Sequence, residues 1–312
     1  MKDPMATDQD STNHPSSTAE QELMFDSGTA PPQDAWSDIS AEGELNESRS
    51  HPWRRYVAVG DSFTEGIGDP DEQSPGGHRG WADRIAEELS RGHQDFAYAN
   101  LAIRGRVLQQ IIDEQIEPAL ELKPDLVTIS AGGNDILRPS SDPDALAEKL
   151  DGAVGRLSSE GATVVLFTGP DVGSPGVLSA VRGKTAIYNE NIRTIATRHD
   201  AVIADMWALR ELADPQMWAG DRLHFSPLGH HTIAIMALDS LAVVHSLHPQ
   251  RPKPLPPKNW RAARAEDLVW AREFFLPWVI RRIRHQSSGD GVQPKRPQAG
   301  PIFGSGMPPG SN

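Results

Sequence analysis

The chain has 312 residues, a formal net charge of -13 and no cysteine. The length exceeds what one ordinary domain needs and falls short of three. Without thiols, disulfides, thiolate metal sites, iron–sulfur clusters and a cysteine nucleophile are excluded, while the redox compartment stays open. Hydrophobic residues make up 38%, so part of the chain is expected outside any core.

The first residues, MKDPMATDQD, show no apolar signal-peptide core. No run of eighteen uncharged apolar residues predicts a spanning helix. The expectation is a soluble, cytoplasmic protein. Residues 1–50 carry eleven acidic and two basic side chains, with few large apolar ones. They cannot bury enough surface to offset chain entropy, and are read as a disordered acidic tail.

A different pattern begins at Tyr56. Short apolar or β-branched runs recur at Tyr56–Val59, Phe96–Leu101, Leu126–Ser130, Thr163–Thr168 and Ala201–Ala204. Helix-like segments alternate with them over Trp81–Arg91, Val107–Leu122, Pro143–Ser159, Leu178–Arg198 and Leu228–Leu247. This alternation predicts an α/β fold, a parallel sheet with helices on both faces. Ligands in such sheets bind at the carboxyl ends of the strands, so the residues just after each run matter most.

After the first run stands Gly60-Asp61-Ser62-Phe63-Thr64-Glu65-Gly66. A Ser on a sharp strand-to-helix turn is exposed where free helix N–H groups offset negative charge, as a nucleophile requires. Taken alone, a helix-capping Ser is the plainer reading. The second run leads to Arg104-Gly105, where a backbone N–H can face the same cleft or a glycine can simply turn the chain. The third leads to Gly132-Gly133-Asn134-Asp135, where Asn134 offers an amide donor or bonds its own backbone. Late in the chain comes Asp221-Arg222-Leu223-His224-Phe225-Ser226-Pro227. A carboxylate three residues from an imidazole can fix its tautomer and leave the other nitrogen free to take a proton. A surface Asp–His pair is the alternative.

Each motif is weak alone, but their order and their common place at strand ends are specific. Together the four segments resemble the signature blocks of the SGNH hydrolases, also called the GDSL esterase/lipase family, over about Arg55 to Leu247. The resemblance implies a three-layer α/β/α sandwich with a flavodoxin-like five-stranded parallel sheet, and a catalytic domain over 51–248. It implies Ser62 as nucleophile, His224 as base and Asp221 as the third triad member. The oxyanion hole would comprise Ser62, Gly105 and Asn134. The implied activity is hydrolysis of carboxylic esters through an acyl-enzyme, with no cofactor and no metal. Asp61 and Asp135 look structural in this resemblance. Two departures are visible: Phe63 stands where the name-giving motif has Leu, and Phe225 where Pro often follows the His. Both put substrate preference in question more than activity.

Other motifs compete poorly. His230 and His231, with Asp221 and His224, lack the spacing of a metal site. Gly183-Lys184-Thr185 resembles the end of a P-loop, but its leading glycine is replaced by Leu178. The acidic core and the lack of a basic recognition helix argue against nucleic acid as a partner. Acyl transfer to an acceptor other than water, and a catalytically silent binding module, stay open as alternatives. The loops Pro70–Arg79 and Pro170–Lys184 carry no readable specificity, although His78 and Trp81 are candidates to line the pocket.

Residues 249–312 begin with a proline-rich linker, RPKPLPPKNW. Residues 248–312 carry four acidic and eleven basic side chains. Within this region Trp260–His285 holds three of the eight tryptophans. Three roles fit it: a helix packed on the catalytic domain through Leu268, Trp270, Phe274, Phe275 and Trp278, a lid, or peripheral membrane contact through Trp260–Arg284 with Arg281, Arg282 and Arg284 at headgroups. The last stretch, Gln286–Asn312, rich in Gly, Pro and Ser, is read as a disordered tail.

Overall fold

The computed structural model describes residues 51–171, 180–254, 260–275 and 287–302. The acidic segment 1–50 lies outside the described residues. So do Trp278, Arg281, Arg282 and Arg284.

Five parallel strands form the sheet expected from the sequence: β1 (Arg55–Gly60), β2 (Ala97–Asn100), β3 (Leu126–Ser130), β4 (Thr163–Phe167) and β5 (Val202–Ala204). Their spatial order is β5-β4-β3-β1-β2. β1 is fully buried beyond its first residue because both its faces are covered. Tyr56 and Ala58 point to one side, where they join Trp81, Ile85 and Phe167. Val57 and Val59 point to the other, against Leu150, Leu157 and Ile192. This period of two explains why the strands read as unbroken apolar runs. Helices α2 (Gly80–Ser90) and α8 (Pro227–Ser240) supply the first layer. Helices α6 (Pro143–Ser159) and α7 (Arg182–His199) supply the second. The result is a three-layer sandwich. Its strand order reverses at β1, so the crevice between the ends of β1 and β3 is the switch point where ligands bind in such sheets.

Some segments differ from the sequence reading. Trp81 is fully buried and packs against Phe63 and Phe167, so it belongs to the core and not to a pocket wall. The helix expected to reach Leu247 ends at Ser240. Ala242 takes a left-handed φ of 54°, and Val243 N–H bonds back to Leu238 O, closing the helix end. The segment expected over Val107–Leu122 is broken by a π-helical turn, Ile112–Ile116. It separates short helices α3 (Leu108–Ile111) and α4 (Glu117–Glu121).

The largest difference is at the C-terminal end. Within the stretch read as disordered, Arg296–Gly300 forms a sixth strand, β6, antiparallel to β2. The sequence RPQAG has no alternation of apolar residues to announce a strand. It is held instead by backbone pairing, by the Arg296 guanidinium over the Tyr98 ring at 5.7 Å, and by Lys295. The Lys295 ammonium donates to Asp83 at 2.7 Å and to the carbonyls of His78 and Arg79 at 3.0 and 2.9 Å. Both side chains of this ion pair are buried. Pro297 is tolerated because β6 is an edge strand.

Candidate active site

β1 must turn sharply at Gly60 to enter α1 (Ser62–Glu65). A Cβ on Gly60 would lie 2.3 Å from Thr64 Oγ1 and 2.7 Å from Ser130 O, so no side chain fits there. The π-helical turn explains itself at this point. It presents the buried Gln115 amide to both backbone groups of Gly60, accepting from N–H at 2.8 Å and donating to C=O at 2.9 Å. Asp61, not Ser62, caps α1, its carboxylate accepting from Phe63 N–H at 3.1 Å. The capping role open to Ser62 in the sequence is therefore filled by its neighbour.

The Ser62 hydroxyl instead lies 3.0 Å from His224 Nε2. His224 Nδ1 lies 2.5 Å from Asp221 Oδ2. Because an ionised carboxylate only accepts, Nδ1 carries the proton and Nε2 is left to accept from the serine hydroxyl. The other Asp221 oxygen accepts N–H groups from Leu223 and His224, each at 3.0 Å. Burial pushes the Asp221 carboxyl up, but the bonds and charge from His224, with these backbone donors, outweigh it and hold it below the usual carboxylate range. The turn that brings Asp221 beneath His224 passes through Arg222 at a left-handed φ of 55°.

Gly105 stands at φ 75°, in the loop after β2. A Cβ there would meet Ser287 Oγ at 2.5 Å. Arg104 ties this loop to α1. Its backbone N–H donates to Glu65 at 2.7 Å and its Nε at 3.0 Å, with a further guanidinium contact to the same carboxylate. Asn134 sits on α5 (Gly133–Ile136), past β3, its Nδ2 donating to Asp61 at 3.0 Å and to Arg106 O at 3.1 Å. Asp135 accepts from Leu108 N–H at 2.8 Å and so steadies the start of α3. Burial raises the Asp61 carboxyl to about 6, against the bond from Phe63 and the nearby His224.

Ser62, Gly105, Asn134, Asp221 and His224 thus share one cleft of about 1300 Å³ at the carboxyl ends of the strands. The two departures from the family pattern prove to be one feature. The Phe63 and Phe225 rings lie 5.5 Å apart, and Phe63 also contacts Trp81 and Phe167 beneath the serine turn.

Residues 58–232 match the GDSL-like Lipase/Acylhydrolase family. The chain belongs to that family. YpmR, an uncharacterized protein of Bacillus subtilis (strain 168), is 28% identical over 107 residues, which span 32% of this chain and 39% of that protein. Among solved structures, LAE5, an α/β hydrolase from the metagenome of Lake Arreo, Spain, matches with a TM-score of 0.53 at 22% identity. The match covers 62% of this chain and 97% of LAE5. A catalytic mutant of Axe2, an acetylxylan esterase from Geobacillus stearothermophilus, gives 0.51 at 17% identity, over 61% and 95%. At these identities the likeness concerns the fold.

The other histidines and the P-loop-like segment of this GDSL-like protein are otherwise engaged. Lys184 donates to the carbonyls of Pro139 and Ser141 at 2.7 and 2.9 Å. His231 donates to His248 O at 2.8 Å. His230 is fully buried, its Nε2 donating to Ile67 O at 3.1 Å and its Nδ1 accepting from Trp81 N–H at 3.3 Å. Burial lowers its pKa to about 4 from 6.5, against the bond to Ile67. The unfolded chain therefore takes this proton below pH 6.5, while the folded chain refuses it until about pH 4. Stability from this group is whole above 6.5 and is lost as pH falls between those values. The lost amount is about 3 kcal/mol at most. Urea unfolding at pH 7 and 4.5 should show this loss in the wild type and a smaller one in His230→Gln. An equal acid loss in both proteins would contradict the assignment.

Residues beyond the family match also frame the cleft: some come from the segment for which a lid was one of three expected roles, others from the stretch expected to be disordered. Trp270, Glu273, Phe274, Ser287 and Asp290 all line it. Asp290 reaches Arg106 at 3.4 Å. Leu268, expected in the packing contact, is instead 74% exposed, with Val269 and Phe274 also exposed.

Proposed function

We propose that this chain hydrolyses carboxylic esters with Ser62 as nucleophile, His224 as general base and Asp221 as its orienting carboxylate. One observation carries the reading: the unbroken run of hydrogen bonds from Ser62 Oγ through His224 to Asp221, at 3.0 and 2.5 Å. The hydroxyl attacks the ester carbonyl carbon as its proton passes to Nε2. The imidazolium is stabilised by Asp221, which stays ionised. The tetrahedral oxyanion takes N–H donors from Ser62 and Gly105 and from the Asn134 amide. Collapse expels the alcohol, which receives the proton from His224. Water then repeats the sequence on the acyl-enzyme and releases the acid.

The Asn134 nitrogen rests between Asp61 and Arg106 O. In this mechanism the oxyanion replaces one of those acceptors as charge develops. Asn134→Ala is expected to lower kcat by about 10²–10³ with a small change in KM. A raised KM with unchanged kcat would make Asn134 a substrate-binding group only. The nucleophile is tested directly by incubation with a fluorophosphonate and mass mapping. A single adduct on the peptide containing Ser62 is expected. An adduct elsewhere, or none, overturns the proposal.

The exposed side chains of Leu268, Val269 and Phe274, beside the cleft, support peripheral contact with a lipid surface as an additional property. Sedimentation with anionic vesicles should carry the wild type down and leave Leu268→Glu/Val269→Glu in solution. Equal sedimentation of both excludes this contact.

A further inference from the structure

The turn Asp221–His224 places both the base and its carboxylate, yet it is a surface turn strained at Arg222, with φ at 55°. Among the described residues, three contacts from α9 (Trp260–Trp270) hold it from the outer side. The Trp270 indole N–H donates to Asp221 O at 2.8 Å. The Arg222 guanidinium lies over the Trp270 ring, 5.2 Å from its centre. The same guanidinium donates to Asp267 at 2.6 Å. None of these α9 residues falls within the family match, 58–232.

We propose that Trp270 and Asp267 are positioning residues for the reaction, clamping the Asp221–His224 turn so that the imidazole keeps its aim at Ser62. This inference rests on the proposed function above. The physical case is one of leverage. The Asp221 carbonyl and the Asp221 side chain leave the same Cα, so a shift of that backbone carries the carboxylate with it. The indole N–H fixes that peptide. Arg222, held between ring and carboxylate, keeps the strained backbone from relaxing into a commoner conformation. Neither Trp270 nor Asp267 need touch the reacting atoms to do this.

Trp270→Phe removes the donor and keeps a ring for Arg222 to cover. Asp267→Asn weakens the pair and keeps the shape. With a soluble p-nitrophenyl ester, Trp270→Phe is expected to lower kcat about tenfold, with KM changed by less than about twofold. Asp267→Asn is expected to act in the same direction and more weakly. The rate of phosphonate labelling at Ser62 should fall in parallel with kcat, while melting temperature shifts by less than about 2 °C. A structural contact alone would lower the melting temperature and leave kcat per folded molecule unchanged, and that result overturns the proposal. Unchanged kcat and labelling rate overturn it equally. Ser62→Ala is measured alongside. If it retains turnover, the hydrolytic assignment fails and the clamp with it. If it is inactive while Trp270→Phe is fully active, only the clamp fails.

Discussion

With Ser62 replaced by Ala, ester hydrolysis is expected to fall by about 10⁵–10⁶-fold, close to the loss when such a hydrogen-bonded unit is broken at its nucleophile. Folding should not suffer. The Ser62 hydroxyl bonds His224 at the mouth of a cleft, and the cap of α1 is supplied by Asp61. A hydroxyl removed from such a place leaves no buried partner unsatisfied, so thermal unfolding should move by less than about 2 °C. Turnover of a p-nitrophenyl ester at saturating concentration checks the first part, and circular dichroism on heating the second. Residual activity within about tenfold of the wild type would assign the chemistry to another group.

The second large effect is on stability. Lys295→Met is expected to lower the unfolding free energy by about 3–5 kcal/mol, because it strands the Asp83 carboxylate in the interior. Lys295 and Asp83 are 2% and 3% exposed, so water cannot take over the lost partner. Burial already pushes the Asp83 carboxyl up and the Lys295 ammonium down, each opposed by the other. Without Lys295, the Tyr98 hydroxyl and the Arg296 charge offset only part of the cost, and Asp83 reduces the rest by taking a proton. A carboxyl raised in the folded state contributes stability that is lost as pH rises, so the defect should be smaller near pH 5 than at pH 8. Asp83→Leu/Lys295→Met should recover much of the loss, since it removes both charges. Urea titrations of the wild type and the two variants at the two pH values measure this. A single-variant cost below about 1 kcal/mol would place the pair in contact with water.

What the sequence made legible follows from where its residues stand. Ser62, Gly105 and Asn134 each follow an apolar run that becomes a strand, and Asp221 and His224 lie within one turn of each other. Strand-end position and short spacing can both be read along a line. The sandwich was legible for the same reason, since buried parallel strands announce themselves as β-branched runs. What escaped depends on contacts between distant segments. Glu65 reads as an ordinary helix acid until Arg104 is seen bonded to it. Gln115 has no signal except its place in a helix, and only the π-helical turn aims it at Gly60. β6 packs only Ala299 against the apolar core and is held by pairing and by Lys295, so no hydropathy pattern marks it. Trp270 was read as a packing residue, and its polar end, which bonds Asp221 O, was not anticipated.

β6 also has a meaning in time. It covers the outer edge of β2, yet about 200 residues separate the two strands along the chain. At a ribosomal pace of about 5–20 residues per second, β2 waits about 10–40 s before its cover exists. During that interval its outward N–H and C=O groups are an open template for a neighbouring nascent chain. The strand's shortness, four residues, limits the hazard. Translation speed and holding chaperones should therefore govern the soluble yield of this protein more than its final stability does.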